Sequence, residues 1–363
     1  MTAERRMMLE DTGIAIGLLT AAWYLYYLVG IGGFLDHLED GPFKDYVTGP
    51  GIHVEMVMSG IGLGIILALV NHYSQWRQAG PMSFGRVIFV KSAIYLISVV
   101  FLGLLVNLIF YTFLFSPEEM AEVWSTLTPR TTLSLGLWMG ISIVGVNFLM
   151  EIRRTVGPGN LLALLTGRYH RPREEDRVFL FVDLKGSTGI AEALGHERYS
   201  RFIRQCYHDL TEFVLRFGGQ IYQYVGDEVV LSWPTKEPDA ERRALDTFFA
   251  FEAHLARKGG WYEESFGVAP VFKAGVERGI VTATEVGDIK RDIAFHGDAL
   301  NTAARLMALC GEYGRDILIS DRIRGAIATN PDLMTQGMGE VLLKGKTTPL
   351  SIFGVSRPGA VET

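Results

Sequence analysis

The placement of charge constrains this chain most: four long stretches in its first 150 residues are almost free of ionisable side chains, and the remainder has none like them. The first, 12–35, contains no charged residue; the second, 51–71, is broken only by His53 and Glu55 near its start. The third, 87–116, has Lys91 near its beginning, and the fourth, 131–150, lies between Pro129-Arg130 and Glu151. At 1.5 Å per residue each is long enough to cross roughly 30 Å of hydrocarbon, so a four-helix transmembrane domain over 1–150 and membership of a lipid bilayer are expected. Arg5 and Arg6 precede the first stretch as they would in a secretion signal. Its length and the lack of a small-residue cleavage site after it point instead to a retained helix.

Basic residues fix the expected orientation. Arg5, Arg6, Arg77, Arg86, Lys91, Arg153 and Arg154 fall on one side of the four spans, whereas the loops carrying Asp36, Glu39, Asp40, Glu118, Glu119 and Glu122 are acidic. The positive-inside rule then puts both termini and everything after residue 150 in the cytoplasm of a multi-pass inner or plasma membrane protein. Gly13/Gly17, Gly60/Gly64 and Gly136/Gly140 each lie one helical turn apart, a spacing that lets helices approach closely. Glycine simply tolerated in a membrane helix is the other reading of each pair. His53 and Glu55 sit where an ionisable group is expensive and normally faces a partner or cavity. His37 is a candidate to join them, while His53 and His72, at opposite ends of one span, cannot share a haem.

A formal charge of −6 argues against a nucleic-acid partner, which requires a basic surface. Cys206 and Cys310 form no framework and are expected as reduced, packed thiols. Past residue 150, Gly157-Pro158-Gly159 interrupts any helix leaving the bilayer. A linker with a short helix opening at Asn160 then fills 151–176.

From 177 to 356 the pattern is that of an α/β domain, followed by a tail at 357–363. Apolar runs predict strands over 178–184, 221–224, 229–233, 272–279, 281–286 and 317–320, with closing strands in 342–355. Helices are expected over 188–216, 239–258 and 299–309. The resulting β-α-β-β-α-β order is a ferredoxin-like sandwich. Asp183 ends the first strand immediately before Gly186-Ser187-Thr188, which opens a helix, and Asp227 occupies a hairpin tip at Gly226-Asp227. Two carboxylates at neighbouring strand ends beside a helix N-terminus suit divalent metals and a polyphosphate.

Four segments together resemble the class III adenylyl/guanylyl cyclase catalytic domain, of the membrane-anchored bacterial type. They are Phe181-Val-Asp183-Leu-Lys-Gly-Ser-Thr188, Tyr224-Val-Gly-Asp227-Glu, Gly297-Asp-Ala-Leu-Asn301-Thr-Ala-Ala-Arg305-Leu and Leu343-Lys344-Gly-Lys346. The resemblance runs from about residue 177 to 355 with order and spacing kept. It implies conversion of ATP to 3′,5′-cyclic AMP and diphosphate, with two Mg2+ or Mn2+ ions per site. Asp183, Leu184 and Asp227 would belong to the metal set. Gly186, Ser187 and Thr188 would cradle phosphate, Asn301 would position the ribose, and Arg305 would stabilise charge on the α-phosphate. Lys344 would meet the terminal phosphates. In the family the metals and the Asn–Arg pair of one site come from different subunits, so a homodimer with shared sites is implied.

Two positions depart from the pattern. Family adenylyl cyclases commonly place Lys three residues before the hairpin Gly and Asp three before the Gly that precedes the Asn; here these are Gln223 and Ala294. An amide both donates and accepts, so Gln223 suits adenine or guanine. The Glu and Cys of family guanylyl cyclases are also missing, which favours ATP over GTP. A diguanylate cyclase would not carry Asn301, Arg305 and Lys344. An inactive binding domain would have lost a metal or transition-state residue. A membrane receptor or transporter with a nucleotide-binding regulatory domain is the remaining alternative.

Overall fold

A computed structural model describes residues 3–35, 40–77, 84–114, 116, 118, 129–157, 160–328 and 330–358. The positions of His37, Glu119, Glu122, Pro158-Gly159 and most of the tail lie outside them. The chain divides into two compact units, essentially Arg5–Val156 and Gly157–Thr363.

The first unit is helical: Ala3–Leu35, Pro42–Thr48, Pro50–Arg77, Phe84–Leu114 and Pro129–Val156. Three of these helices contain a stretch long and apolar enough to cross a membrane, Met8–Gly30, Pro50–Val70 and Leu133–Arg153. The predicted third span falls on Phe84–Leu114, a helix of 31 residues whose described apolar stretch is the shorter Ile88–Ser98. Apolar side chains face outward, with Val29, Phe101 and Ile141 each about 70% exposed, the arrangement a hydrocarbon solvent stabilises and water does not. Inside, Ala15, Leu19, Leu63, Leu67, Tyr95 and Ile143 form the packed centre. Gly60 and Gly64 are contact glycines: a Cβ there would stand 2.0 Å from Thr20 Oγ1 and 2.2 Å from Ile16 Cγ1. Gly13, Gly17, Gly136 and Gly140 have open space instead. His53 stacks on Tyr24, ring centroids 5.8 Å apart, with Tyr27 edge-on at 5.6 Å, and Glu55 accepts a 2.7 Å hydrogen bond from the Tyr46 hydroxyl.

The second unit is built on a sheet of order β2-β3-β1-β4-β6-β8-β7, with β5 pairing β4. The strands are β1 Arg173–Leu184, β2 Gln220–Val225, β3 Glu228–Pro234, β4 Phe272–Val286, β5 Asp292–His296, β6 Ile317–Ser320, β7 Met334–Val341 and β8 Leu350–Ser356. Within the first four all ladders are antiparallel. Helix Ser187–Arg216 links β1 to β2, and helix Ala240–Phe266 links β3 to β4. That is the β-α-β-β-α-β order expected; the parallel β4–β6 pair makes the whole sheet mixed.

Strand alternation sorts the two faces. Val178, Leu180, Val182 and Leu184 pack with Phe202, Leu210, Leu245 and Phe248 of the long helices. Phe179 and Phe181 pack on the other face with Val281, Ala299, Ala303 and Met307. The long helices are also tied by Asp209, whose carboxylate accepts from Lys258 Nζ at 2.7 and 2.8 Å and from the Tyr262 hydroxyl at 2.8 Å. Both cysteines are buried and free.

Several sequence expectations need correction. The 272–279 and 281–286 segments are one continuous strand of 15 residues, because Gly279-Ile280 runs straight through instead of turning. The helix expected over 188–216 is broken at Gly195, whose φ of 71° and ψ of 161° leave the helical region. The closing strands lie at β7 and β8; residues 342–349, expected as strand, form the connection between them. Strand β5 and the short helix Asp321–Ile327 had no counterpart in the sequence reading. Helix Asn160–Leu165 does form, and Ala163 and Tyr169 pack on Ala283 and Ile293 of the β4–β5 hairpin. Glu285 N–H donates to Tyr169 O at 2.9 Å.

Candidate active site

Asp183 is the penultimate residue of β1 and lies between Glu228 on β3 and Lys273 on β4, its direct cross-strand partners. Cross-strand neighbours on one face stand close enough to interact, and Lys273 Nζ is 3.1 Å from Asp183 Oδ2. Burial raises the pKa of Asp183 above the ordinary carboxylate range; the Lys273 ammonium opposes the shift, and the adjacent Asp227 charge adds to it. Glu228 is likewise raised, by burial first and then by Asp183 and Asp227. Lys273 was not singled out from the sequence. Nothing local marks it, because its place beside Asp183 comes from the β1–β4 register.

Asp227 follows Gly226 in the two-residue turn between β2 and β3, where Gly226 has φ +64°. The Tyr207 hydroxyl donates to Gly226 O at 3.1 Å, and the Tyr207 and Tyr224 rings lie 4.7 Å apart, which holds the tip against the long helix. Just after Leu184, Gly186 in the left-handed region (φ 67°) precedes helix Ser187–Arg216 and supplies no side-chain cap. The first amides there, at Ser187 and Thr188, are thus available to an anion.

Asn301 and Arg305 occupy helix Asp298–Leu309 one turn apart. Its other side is pressed onto β4 so tightly that a Cβ at Gly275 would stand 2.2 Å from Ala303 O and 2.4 Å from Met307 N. Asn301 is exposed and Arg305 half-buried. The connection between β7 and β8 brings Lys344, Gly345 and Lys346 to this helix: a Cβ at Gly345 would be 3.9 Å from Arg305 Nη2. Among the described residues neither Arg305 nor Lys344 has a hydrogen bond or carboxylate partner.

The two positions that depart from the family pattern, Gln223 and Ala294, each adjoin a member of one bonded pair. Phe295 N–H donates to the Tyr222 hydroxyl at 3.3 Å and their rings lie 5.0 Å apart. Gln223 therefore follows, and Ala294 precedes, one member of a bonded pair. A bulge at Tyr222 turns Gln223, exposed, to the same side as Val230. Ala294 lies opposite Thr284 on β4.

Among the described residues no three His, Cys, Asp or Glu side chains converge as a ready cage. Two carboxylates do adjoin one another, and a magnesium ion is commonly held by one or two carboxylates together with substrate phosphates. The Lys273 ammonium already drawn to Asp183 and the adjacent Asp227 charge mark a place where positive charge is stabilised. Asp183 and Asp227, with Leu184 between Asp183 and the anion-ready turn, fit a divalent cation. No hydrogen bond or ion pair among the described residues joins this acidic cluster to Asn301, Arg305 or Lys344.

No protein-family profile matches the chain. Adenylate cyclase 2 of Rhizobium meliloti (strain 1021) is 32% identical over 209 residues, 58% of this chain and 58% of that protein. The adenylate cyclase of Anabaena cylindrica is 28% identical over 185 residues, 48% of this chain and 36% of its own length. The chain thus spans little more than half, or less, of the curated relatives it matches. In fold it resembles a bacterial light-regulated adenylyl cyclase, with a TM-score of 0.50 and 16% identity over 58% of this chain and 62% of that one. Over about half of its length the chain is thus similar in sequence to curated adenylate cyclases, and it shares the fold of a solved adenylyl cyclase.

Proposed function

We propose that this protein is a membrane-bound nucleotide cyclase that converts ATP to 3′,5′-cyclic AMP and diphosphate in a homodimer with shared active sites. The observation that carries the reading is the sorting of charge. Asp183 pairs with the Lys273 ammonium and feels the adjacent Asp227 charge, while Arg305, beside Gly345, and Lys344 have no counter-ion among the described residues. The first cluster calls for cations and the second for a polyanion. With no bond between them in one chain, a second copy that brings its Arg305 to the partner's Asp183 completes the set, as isologous pairing permits.

Asp183, Leu184 and Asp227 would hold the divalent ions, Mg2+ or Mn2+. Their chemistry is to acidify the ribose 3′-hydroxyl and neutralise the triphosphate. The 3′-hydroxyl gives its proton to solvent water, and its oxygen bonds to the α-phosphorus as the α–β bridging bond breaks and diphosphate leaves. The amides at Ser187 and Thr188 receive phosphate oxygens, and Lys344 the terminal ones. Arg305 stabilises the charge that builds on the α-phosphate, in a site where a fixed guanidinium costs no reorganisation. Asn301 orients the ribose. Gln223 reads the base with a neutral amide, and Ala294 adds nothing polar, so ATP is preferred with limited discrimination against GTP. Four spans, with helix Phe84–Leu114 as the third, anchor the catalytic unit on the cytoplasmic side.

Purified full-length protein assayed with each of the four nucleoside triphosphates and Mg2+ or Mn2+ tests this directly. Cyclic AMP from ATP is the expected product. A preference for GTP would overturn the substrate, and no cyclic product from any of the four would overturn the activity.

A further inference from the structure

Lys344 and Lys346 flank one glycine yet have opposite surroundings. Lys344 is exposed and, among the described residues, unpaired. Lys346 Nζ lies 2.8 Å from Asp298 Oδ2, with its own side chain only 21% exposed. Asp298 is the first residue of the helix that carries Asn301 and Arg305. Buried Glu277 on β4 also lies near enough to feel the Lys346 charge. The loop has one further anchor, Leu343, buried at 4% exposure, and its turn is closed by Lys346 N–H donating to Leu343 O at 2.9 Å. Between them Gly345 adopts φ +81°, a conformation a side chain resists, and turns its bare face toward Arg305.

We infer that Lys346 and Asp298 form a clasp that docks the β7–β8 loop onto the Asn301–Arg305 helix and thereby sets the position of Lys344. The inference rests on the proposed cyclase reaction and divides labour between the two lysines. Lys346 is neutralised by the protein and acts as a positioning residue; Lys344 keeps its charge for the polyanion. A partly exposed ion pair adds little to fold stability, so its effect belongs in ligand binding and not in melting temperature. The alternative is that Asp298 merely favours the helix N-terminus, as an acidic first-turn residue does. In that case Lys346 is dispensable.

The test uses full-length Lys346→Asp, Asp298→Lys and the double variant that exchanges the two charges. Each single change is expected to raise KM for MgATP about tenfold with a smaller change in kcat. The exchanged pair is expected to return KM to within about threefold of wild type, since the clasp is re-formed with reversed polarity. Protection of the protein against thermal unfolding by inorganic tripolyphosphate should weaken and recover in the same order, independently of turnover. Single variants with unchanged KM and unchanged protection, or an exchanged pair that folds but recovers neither, overturn the clasp. Absence of cyclase activity in the wild type with tripolyphosphate protection lost and regained as stated would instead overturn the proposed reaction and keep the clasp.

Discussion

Lys273 faces Asp183 across the β1–β4 ladder, its ammonium 3.1 Å from the carboxylate. The Asp183 carboxylate is therefore already engaged by a cation of the protein. Loss of either proposed metal carboxylate should abolish cyclisation while the fold persists. Asp183→Ala and Asp227→Ala are each expected to lower kcat far more than tenfold; retention of over about a tenth of the wild-type rate, under about 1.4 kcal/mol, would remove that residue from the metal site.

As a metal ligand, Asp183 would be contested by protons. Its raised pKa means that the competition begins at higher pH than for an ordinary carboxylate. The Mg2+ concentration for half-maximal rate should climb as pH falls toward that value, and saturating Mn2+ should restore the rate. For the metal-free fold, a carboxyl whose folded pKa exceeds its unfolded one contributes stability below the unfolded value, lost as pH rises through the folded value. In chelator, the melting temperature of wild type minus that of Asp183→Asn should accordingly fall with rising pH across that window. A pH-independent Mg2+ requirement and a flat difference would contradict both.

Subunit complementation addresses the shared site. Asp183→Ala and Arg305→Ala should each be inactive alone and recover partial activity when mixed, because one heterodimer site is then intact. Continued inactivity after demonstrated subunit exchange would rule out the two-chain arrangement.

Base selection is proposed to rest on Gln223. Its change to alanine should erode the ratio of kcat/KM for ATP over GTP more than it lowers turnover, since discrimination depends on polar groups left unpaired by the wrong base. An unchanged ratio would show that Gln223 does not read the base.

The seat of Arg305 is a packing matter. Gly275→Ala drives a methyl into Ala303 O and Met307 N, an overlap expected to cost about 1–3 kcal/mol and to lower kcat by moving the helix. A variant as stable and as active as wild type would mean that the helix yields freely.

Much of this was legible because local rules and chain order agreed. Strand ends and a Gly-Asp turn point to Asp183 and Asp227, whereas Asn301 and Arg305 stand out only through the family resemblance, since one-turn spacing alone also describes a solvated face. Gly60 and Gly64 were separable from the other glycine pairs only by the helix opposite them. The break at Gly195 was hidden because one glycine in a helical pattern is common. Lys273 needed the β1–β4 register, which no local pattern specifies. Strand β5 is five residues between polar turns, too short for alternation to declare itself. The difference between Lys344 and Lys346 depends on Asp298, distant in sequence.

The packing of Ala163 and Tyr169 on the β4–β5 hairpin has a mechanical consequence. The same hairpin carries Ala294, is bonded to Tyr222 beside Gln223, and runs into Gly297 and the helix of Asn301. Residues 160–169 thus grip a lever whose far arm would be the wall of the proposed base site, with β4 as its fulcrum. A tilt of that grip of even a fraction of an ångström would change the shape offered to a purine and the pitch of Asn301 together, so that affinity and turnover would be geared to one another rather than set independently.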